Sequence, residues 1–221
     1  MNSSRSLNSF FKKNLLAFIL FIIFYTLFFN FIDLPCAKFM HSLSPQLFIY
    51  KFSFLIQKLF SPAHWLVLSC VFVLVGFGLF FNSKKTSSNT LFKNPKTYFH
   101  WGFAGILAFI LAGICKVVLA RYRPIEFFNL NLYGFHFFSD NYEFNSTPSG
   151  HTVMAFAVLG SIASSLKKMG GKLIGLSFVL ILICLGIAGS RLILNAHYCS
   201  DLIFGMYVGL ISAYWVKYLI K

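Results

Sequence analysis

The chain has 221 residues, of which 58% are hydrophobic and only 11% are charged. About a quarter of the residues in a soluble globular domain are charged, so this composition excludes an ordinary soluble domain and indicates an integral membrane protein. The net charge of +14 would suggest a nucleic-acid partner only if the basic residues shared a face. They are spread between the apolar runs instead, so we expect a membrane environment and no nucleic-acid partner.

Six apolar runs without charged residues divide the sequence, and a membrane-spanning helix needs about 17–25 residues. The fourth and sixth runs are short, but each begins beside polar motif residues that would occupy the first turn at the membrane edge. We therefore predict an all-α integral membrane bundle of six transmembrane helices. The predicted spans cover residues 15–32, 63–81, 98–115, 152–166, 173–190 and 202–216.

The distribution of basic residues predicts the orientation of the chain, because short cytoplasmic loops carry an excess of Lys and Arg. With the N-terminus inside, twelve of the nineteen basic residues fall on the cytoplasmic side and all five acidic residues fall outside. Both termini are then cytoplasmic. We expect a multi-pass protein of a bacterial inner membrane, with its polar motifs facing the periplasm or cell exterior.

An amphipathic segment lies between the first two spans. Ser44-Pro45 is typical of a helix start, and Lys51, Gln57 and Lys58 alternate with apolar residues near helical spacing. We predict an amphipathic helix on the outer membrane surface, with a buried connector as the alternative. Ser61-Pro62 repeats the start signal and is predicted to begin the second span.

Two inner connections and one long outer loop complete the organisation. The polar stretch 82–96 is predicted to be a solvated inner loop, and residues 167–172 form a tight inner turn. Residues 125–147 make an outer loop rich in aromatic side chains, which favours the headgroup level of the membrane. This loop is interpreted either as a lid or lipid-contacting wall over a site, or as an interfacial anchor.

Three polar clusters interrupt the hydropathy, and their chemistry suits a phosphate group. A transferring phosphoryl group spreads negative charge over three oxygens, so its protein site mainly positions donors. Arg side chains can pair with two oxygens, whereas Lys acts as a point charge. Serine and the backbone N–H groups at a helix start add neutral donors, and glycine permits close approach. The predicted phosphate-binding residues are Lys116, Arg123, Ser149, Gly150 and Arg191.

Two histidines and one carboxylate supply the predicted catalytic groups. His197 can attack phosphorus through a neutral ring nitrogen if its other nitrogen donates to a carboxylate, and Asp201 lies one helical turn later. His151 would protonate the leaving oxygen and then accept a proton from the water that splits the phosphoenzyme. This chemistry calls for neither a metal nor another cofactor, and the five cysteines lack the spacing of a zinc site.

The spacing of these residues resembles the three-part signature of the type 2 phosphatidic acid phosphatase superfamily. The three parts are Lys116-x6-Arg123-Pro124, Pro148-Ser149-Gly150-His151, and Ser190-Arg191-x5-His197-x3-Asp201. The resemblance implies one domain over residues 1–221 with a catalytic core at about 98–218. It also implies a phosphohistidine on His197, acid–base catalysis by His151, and oxyanion contacts from the phosphate-binding residues together with His151.

The same resemblance implies a phosphorylated membrane lipid as the substrate. Undecaprenyl pyrophosphate, phosphatidylglycerol phosphate, phosphatidate and the phosphates of lipid A all remain open, and no oligomeric state is predicted. Arg121 lies outside the signature, and we hypothesise that it meets a second anionic group of the substrate; an interfacial anchor is the alternative. A membrane transporter or channel for a small anion is the rival function. It is disfavoured because transporters place ionisable residues near the membrane midplane.

Overall fold

The computed structural model describes residues 2–43, 45–82, 91–167 and 170–220. Within these ranges the chain is helical, and its only strand-like feature is an isolated bridge between Arg121 and Phe135. The all-α prediction is therefore confirmed. The α-helices of the described ranges are α1 (Asn2–Leu27), α2 (Asp33–His41), α3 (Phe48–Leu59), α4 (Pro62–Asn82), α5 (Pro95–Leu119), α6 (Pro124–Leu130), α7 (Gly150–Lys167), α8 (Lys172–Ile193) and α9 (Cys199–Leu219).

Five helical stretches in the described part are long and apolar enough to cross a membrane. The first joins α1 to α2 through a π-helical segment, and the second runs through α3 and α4. The predicted fourth span corresponds to α7, whose 18 residues extend about 27 Å. The count of six spans stays a prediction. The five stretches are Phe10–His41, Phe48–Asn82, Pro95–Leu119, Leu173–Ile193 and Cys199–Leu219.

The predicted amphipathic segment forms α3, which packs against α8. Its start differs from the prediction: Ser44 lies outside the described residues, Pro45 lies in a turn, and the extended residue Leu47 precedes the first helical residue. The second start signal is correct, because α4 begins at Pro62 and the His64 N–H donates to the Ser61 hydroxyl at 3.4 Å. The location of α3 on the outer membrane surface remains a prediction.

The predicted inner connections are described only in part. Residues 83–90 of the loop 82–96 and residues 168–169 of the turn 167–172 lie outside the described ranges. Where the description resumes, the Asn94 side chain accepts a hydrogen bond from the Lys96 N–H at 3.0 Å and caps α5. Pro95 follows at the first helical position, where its missing N–H costs nothing.

Helix α7 is the centre of the bundle and packs against α4, α5, α8 and α9. Six consecutive residues of α7, 153–158, are all buried. A glycine lets α9 come close: a Cβ built on Gly209 would lie 2.6 Å from the Val153 carbonyl oxygen. Small residues at such crossings allow the close helix packing that stabilises membrane bundles. The contact therefore fixes the relative positions of α7 and α9.

The chain connectivity brings four helix ends together at one end of the bundle. Helices α5 and α8 end there, and α7 and α9 begin there, so the three polar clusters of the sequence are neighbours in space. A backbone hydrogen bond joins the second cluster to the third, since the Ser149 N–H donates to the Asp201 carbonyl oxygen at 3.1 Å. The end of the bundle that carries these helix termini is called the motif end below.

The close packing of α7 on α9 generates a stability prediction. We expect Gly209→Ala to lower the free energy of unfolding by about 1–3 kcal/mol, the usual cost of overpacking, because its new Cβ would clash with the Val153 carbonyl. Thermal unfolding in detergent measures the loss. Gly186→Ala is the matched control, since a Cβ there meets nothing within 4 Å. Equal unfolding temperatures for the two variants would contradict this account of the crossing.

Candidate active site

Lys116 and Arg123 meet on one backbone carbonyl. Lys116 lies in the last turn of α5, and the left-handed residue Ala120 follows the helix directly. Arg123 has the extended backbone predicted for a residue before proline and directly precedes α6. The Lys116 Nζ and the Arg123 Nη2 both donate to the Asn145 carbonyl oxygen, at 2.5 and 3.3 Å. The first polar cluster is thereby held against the outer loop just before the second cluster.

The Arg123 guanidinium also connects the outer loop to the turn that carries His197. Its Nε donates to the Tyr142 carbonyl oxygen at 2.9 Å, and its Nη1 donates to the Ala196 carbonyl oxygen at 3.2 Å. The guanidinium carbon lies 4.1 Å from the centroid of the Tyr142 ring, a favourable cation–π distance. Contacts from two segments, the outer loop and the turn before His197, therefore determine where this cation points.

His197 is held in one tautomer by a backbone carbonyl. Its Nδ1 lies 2.7 Å from the Ser146 carbonyl oxygen, and because a carbonyl only accepts, Nδ1 carries the proton and Nε2 presents its lone pair. Burial, followed by the positive charges of the three nearby motif cations, lowers the pKa of His197 well below its usual range, against the opposing effect of Asp201. The ring is consequently neutral, as a nucleophile requires.

The structure corrects the predicted role of Asp201. Its Oδ2 lies 3.7 Å from the His197 Nδ1, too far for a direct hydrogen bond. The same Oδ2 accepts from the Ser146 hydroxyl at 2.6 Å and from the Tyr198 N–H at 2.8 Å. Asp201 thus holds Ser146, whose carbonyl in turn orients His197. The sequence spacing of one helical turn placed the carboxylate near the ring but could not show the intervening carbonyl.

Arg121 forms the centre of a buried ionic network. Its Nη1 lies 2.6 Å from the Asp201 Oδ1, and its Nη2 lies 2.7 Å from the Asp33 Oδ2. Asp33 also accepts from the Ser200 N–H and hydroxyl and contacts the Tyr133 hydroxyl. The side chains of Arg121, Asp33 and Asp201 are all fully buried. This network ties α2, the end of α5 and the start of α9 together.

The hypothesis that Arg121 meets a second anionic group of the substrate is therefore wrong. Both of its terminal nitrogens bind carboxylates of the protein, so its charge is already paired, and its side chain is 0% exposed. Its guanidinium also lies over aromatic rings, 4.8 Å from the centroid of Phe29 and 4.4 Å from that of Tyr198. The alternative interpretation as an interfacial anchor is wrong for the same reason.

The second cluster occupies the start of α7. Ser149 is fully buried, and its hydroxyl oxygen accepts from the Thr152 hydroxyl at 3.1 Å. A Cβ on Gly150 would lie 3.3 Å from the Pro62 Cγ, so glycine lets the start of α4 come close to the start of α7. The N–H groups of Gly150 and His151 lie in the first turn, where no intrahelical acceptor exists.

His151 and Arg191 are both bound by one residue of α3. The His151 Nε2 lies 3.1 Å from the Gln57 carbonyl oxygen, and the Arg191 Nη1 donates to the Gln57 side-chain oxygen. Arg191 is buried in the last turn of α8, and its carbonyl accepts from the Ala196 N–H at 3.0 Å. The structure thus brings every predicted site residue around the same helix ends, with Arg121 bound to Asp201 inside the buried network.

A cavity of about 440 Å³ adjoins these residues. Arg123 and Ala196 form its inner wall, next to His197, and the connection between α2 and α3 forms its outer wall. The Tyr50 and Asn195 side chains line it without hydrogen-bond partners among the described residues. Its lining consists of Met40, His41, Leu43, Pro45, Tyr50, Arg123, Ile125, Tyr142, Leu194, Asn195 and Ala196.

The sequence analysis missed four contributors to this site: two side chains, those of Asp33 and Gln57, and two backbone carbonyls, those of Asn145 and Ser146. Asp33 carried a signal, since an acid beside an apolar run is costly to bury and is usually paired. Gln57 carried none, because a polar residue on an amphipathic helix is expected to face solvent. The backbone carbonyls of Asn145 and Ser146 have no sequence signature, because every residue has a backbone carbonyl oxygen that can accept a hydrogen bond.

The fold and the motif end define a multi-pass helical membrane protein whose basic side chains and two imidazoles meet at one end of the bundle. Residues 97–221 match the profile of the PAP2 superfamily. Because this match covers more than half of the chain, the protein belongs to the PAP2 superfamily, as the spacing of its motifs predicted.

Two curated relatives are lipid A 1-phosphatases from rhizobia. The chain is 28% identical to the protein from Rhizobium etli over 158 residues, 68% of this chain and 62% of that protein. It is 30% identical to the protein from Rhizobium johnstonii over 107 residues, 48% of this chain and 41% of that protein. The matched regions thus span less than two thirds of the length of either relative.

A solved structure supports the fold. The crystal structure of a transmembrane PAP2 type phosphatidylglycerolphosphate phosphatase from Bacillus subtilis superposes with a TM-score of 0.59. The superposition covers 94% of this chain and 95% of that protein, at 20% sequence identity. At this identity the likeness shows a shared transmembrane fold.

The buried network generates a second stability prediction. Asp33→Ala leaves the Arg121 charge with one carboxylate instead of two, and breaking a buried pair costs about 3–5 kcal/mol. We expect a markedly lower unfolding temperature in detergent. Asp140→Ala is the control, since Asp140 is an exposed acid of the outer loop. An Asp33 variant as stable as the control would show that the network is not structural.

Proposed function

We propose that the protein is a membrane lipid phosphatase that hydrolyses a phosphate monoester or pyrophosphate through a phosphohistidine on His197. The observation that carries this proposal is the meeting of three cations, Lys116, Arg123 and Arg191, with two histidines at the motif end. Each of these cations contacts only neutral acceptors among the described residues. A phosphate group would supply the negative charge that this arrangement lacks.

The proposed reaction has two steps. The Nε2 of His197 attacks phosphorus, the bond from phosphorus to the lipid oxygen breaks, and that oxygen takes a proton from His151. Water then attacks the phosphohistidine while His151 accepts one of its protons, and the bond between phosphorus and Nε2 breaks to release inorganic phosphate. His151 thus serves as acid and then as base. Asp201 acts through Ser146 to hold the His197 ring.

The three cations stabilise the charge that develops on the phosphoryl oxygens. Donors fixed in advance in a site with little water contribute most of this stabilisation, and losing one typically costs about 10²–10³ in rate. Ser149 and the free N–H groups at the start of α7 add neutral donors and the positive end of the helix dipole. The rival function of an anion transporter gains no support, because the cations surround two imidazoles instead of lining a path.

We further propose that this site faces the periplasm or cell exterior of a bacterial inner membrane, with both termini cytoplasmic. The excess of basic residues in the predicted inner segments supports this orientation. A single domain over residues 1–221, with the catalytic core at about 98–218, accounts for the two catalytic histidines and all three cations. The outer loop 125–147 would then lie at the headgroup level, beside the cavity.

For the substrate we propose the 1-phosphate of lipid A or a similarly phosphorylated glycolipid. Two relatives carry this activity in their names. The cavity of about 440 Å³ beside Arg123 supplies independent support. Tyr50 and Tyr142 offer rings on which a sugar can stack, and the Asn195 amide has no hydrogen-bond partner in the part of the chain that the structure describes. A sugar needs such a cavity, whereas the headgroup of phosphatidate would leave most of it empty.

The phosphohistidine generates the third prediction. His197→Ala should abolish phosphate release and prevent trapping of a labelled phosphoenzyme, because no other described side chain replaces its free Nε2. Acid-quenched incubation with a ³²P-labelled lipid phosphate, in detergent and with chelator, measures both. His64→Ala is the control, since His64 is an exposed histidine outside the three signature clusters and its Nδ1 lies 3.1 Å from the Leu59 carbonyl oxygen. Phosphate release by the His197 variant at the wild-type rate would eliminate the covalent mechanism.

The glycolipid substrate generates the fourth prediction. Wild-type protein should show its highest kcat/KM on lipid A, compared with phosphatidate, phosphatidylglycerol phosphate and undecaprenyl pyrophosphate. Tyr50→Ala and Asn195→Gly should each lower kcat/KM for lipid A about tenfold, equal to about 1.4 kcal/mol of lost contact, and leave phosphatidate turnover unchanged. Glycine is chosen at position 195 because Asn195 has a positive φ of 48°, which alanine would strain.

Tyr50→Phe separates the ring from its hydroxyl and should retain most of the lipid A activity if stacking provides the contact. Faster hydrolysis of one of the other three lipids would overturn the glycolipid assignment and leave the phosphatase proposal intact. No phosphate release from any of the four lipids would overturn both.

A further inference from the structure

Gln57 of helix α3 lies outside the three signature clusters and contacts two side chains that belong to them. Its backbone carbonyl oxygen is 3.1 Å from the His151 Nε2, and its side-chain oxygen accepts a hydrogen bond from the Arg191 Nη1. One residue therefore binds a proposed acid–base group and a proposed phosphate donor at the same time. The two contacts differ in kind, and each has its own chemical consequence.

The backbone contact assigns the tautomer of His151. Because a carbonyl oxygen only accepts, the Nε2 must carry a proton, and the Nδ1 is left as the nitrogen that gains and loses the catalytic proton. This arrangement mirrors His197, where the Ser146 carbonyl binds Nδ1 and leaves Nε2 free. The two imidazoles thus present opposite ring nitrogens, each selected by a backbone carbonyl.

The side-chain contact fixes the guanidinium of Arg191. This side chain is 5% exposed, and its Nε has no hydrogen-bond partner among the described residues. A guanidinium has five N–H donors in a rigid plane. The hydrogen bond to Gln57 occupies one of these donors and fixes the direction of the remaining four. An amide suits this task because it is neutral. A carboxylate in its place would cancel the charge that a phosphate is expected to meet.

Helix α3 is itself anchored well enough to act as a support. It packs against α8, which carries Arg191. Ile56 and Phe60, on either side of Gln57, pack against the buried cluster that includes Trp65 and Met154. Ser53, one turn before Gln57, is 2% exposed. Gln57 therefore projects from a fixed part of the helix toward the start of α7 and the end of α8.

We propose that Gln57 is a positioning residue of the active site, acting on Arg191 through its side chain and on His151 through its backbone. The inference rests on the proposed phosphatase function for its kinetic consequence. It extends the site to α3, a helix that none of the three motifs includes. Only the side-chain half depends on the identity of the residue, so a substitution at position 57 isolates the effect on Arg191.

The test is Gln57→Met, which keeps the length and flexibility of the side chain and removes the acceptor. We expect kcat on a lipid phosphate to fall about tenfold, less than the loss of about 10²–10³ for deleting a donor outright, because Arg191 remains present but is misdirected. KM should change little. Lys58→Met is the matched control, since Lys58 is the next residue on α3 and interacts with Phe54, away from the site.

A double-mutant cycle with Arg191→Ala distinguishes positioning from a general structural role. If Gln57 acts through Arg191, Gln57→Met should cause no further loss of kcat in the Arg191→Ala background. An equal fold-loss in both backgrounds, or no loss in the wild-type background, would overturn the proposal. Thermal unfolding of all four proteins verifies that they are folded when they are compared.

The same cycle is measured on binding of orthovanadate, which mimics the five-coordinate phosphoryl group. Calorimetry should show affinity that falls about tenfold in Gln57→Met and no further fall when Arg191 is already alanine. Gln57→Glu should bind orthovanadate more weakly than Gln57→Met, because it adds negative charge beside the anion. This binding cycle decides the role of Gln57 even if wild-type protein releases no phosphate, an outcome that would refute the phosphatase proposal alone.

Discussion

The rest of the site depends on a buried guanidinium between two carboxylates. Arg121 joins Asp33 at the start of α2 to Asp201 in the first turn of α9, and the carboxylates also bind hydroxyls and backbone N–H groups. A buried ion pair is stable only when such additional hydrogen bonds compensate for lost hydration. Here they do more, because Asp201 holds the Ser146 hydroxyl and the Ser146 carbonyl orients His197.

This network also explains why the motif end is so strongly positive. Asp33 and Asp201 both form their ion pairs with Arg121, and neither forms one with the other cations of the motif end. In the part of the chain that the structure describes, Lys116, Arg123 and Arg191 form no ion pair, and their hydrogen bonds go to carbonyl and amide oxygens. The cation in the network is structural, and the cations outside it are available to an anion.

The sequence predicted the parts of this arrangement that depend on local spacing. The start of α4 at Pro62, the extended backbone at Arg123 and the grouping of the three motifs follow from proline positions, hydropathy and chain direction. The predicted role of Arg121 was wrong because its partners are distant in sequence. Its partner Asp33 lies 88 positions away, and no local pattern shows that two such residues face each other inside a bundle. Gln57 and the Ser146 carbonyl were missed because their roles depend on helix packing and on backbone atoms.

The basicity of His197 is expected to differ before and after an anion binds at the motif end. Before an anion binds, burial and the nearby cations keep the ring neutral, so its Nε2 lone pair is not lost to a proton. When a phosphate dianion occupies the site, its charge offsets that of the cations, and the same ring becomes more basic next to the phosphorus it is proposed to attack. The donors that would bind the substrate therefore also preserve the nucleophile until the substrate arrives. Arg191, positioned by Gln57, would serve both purposes.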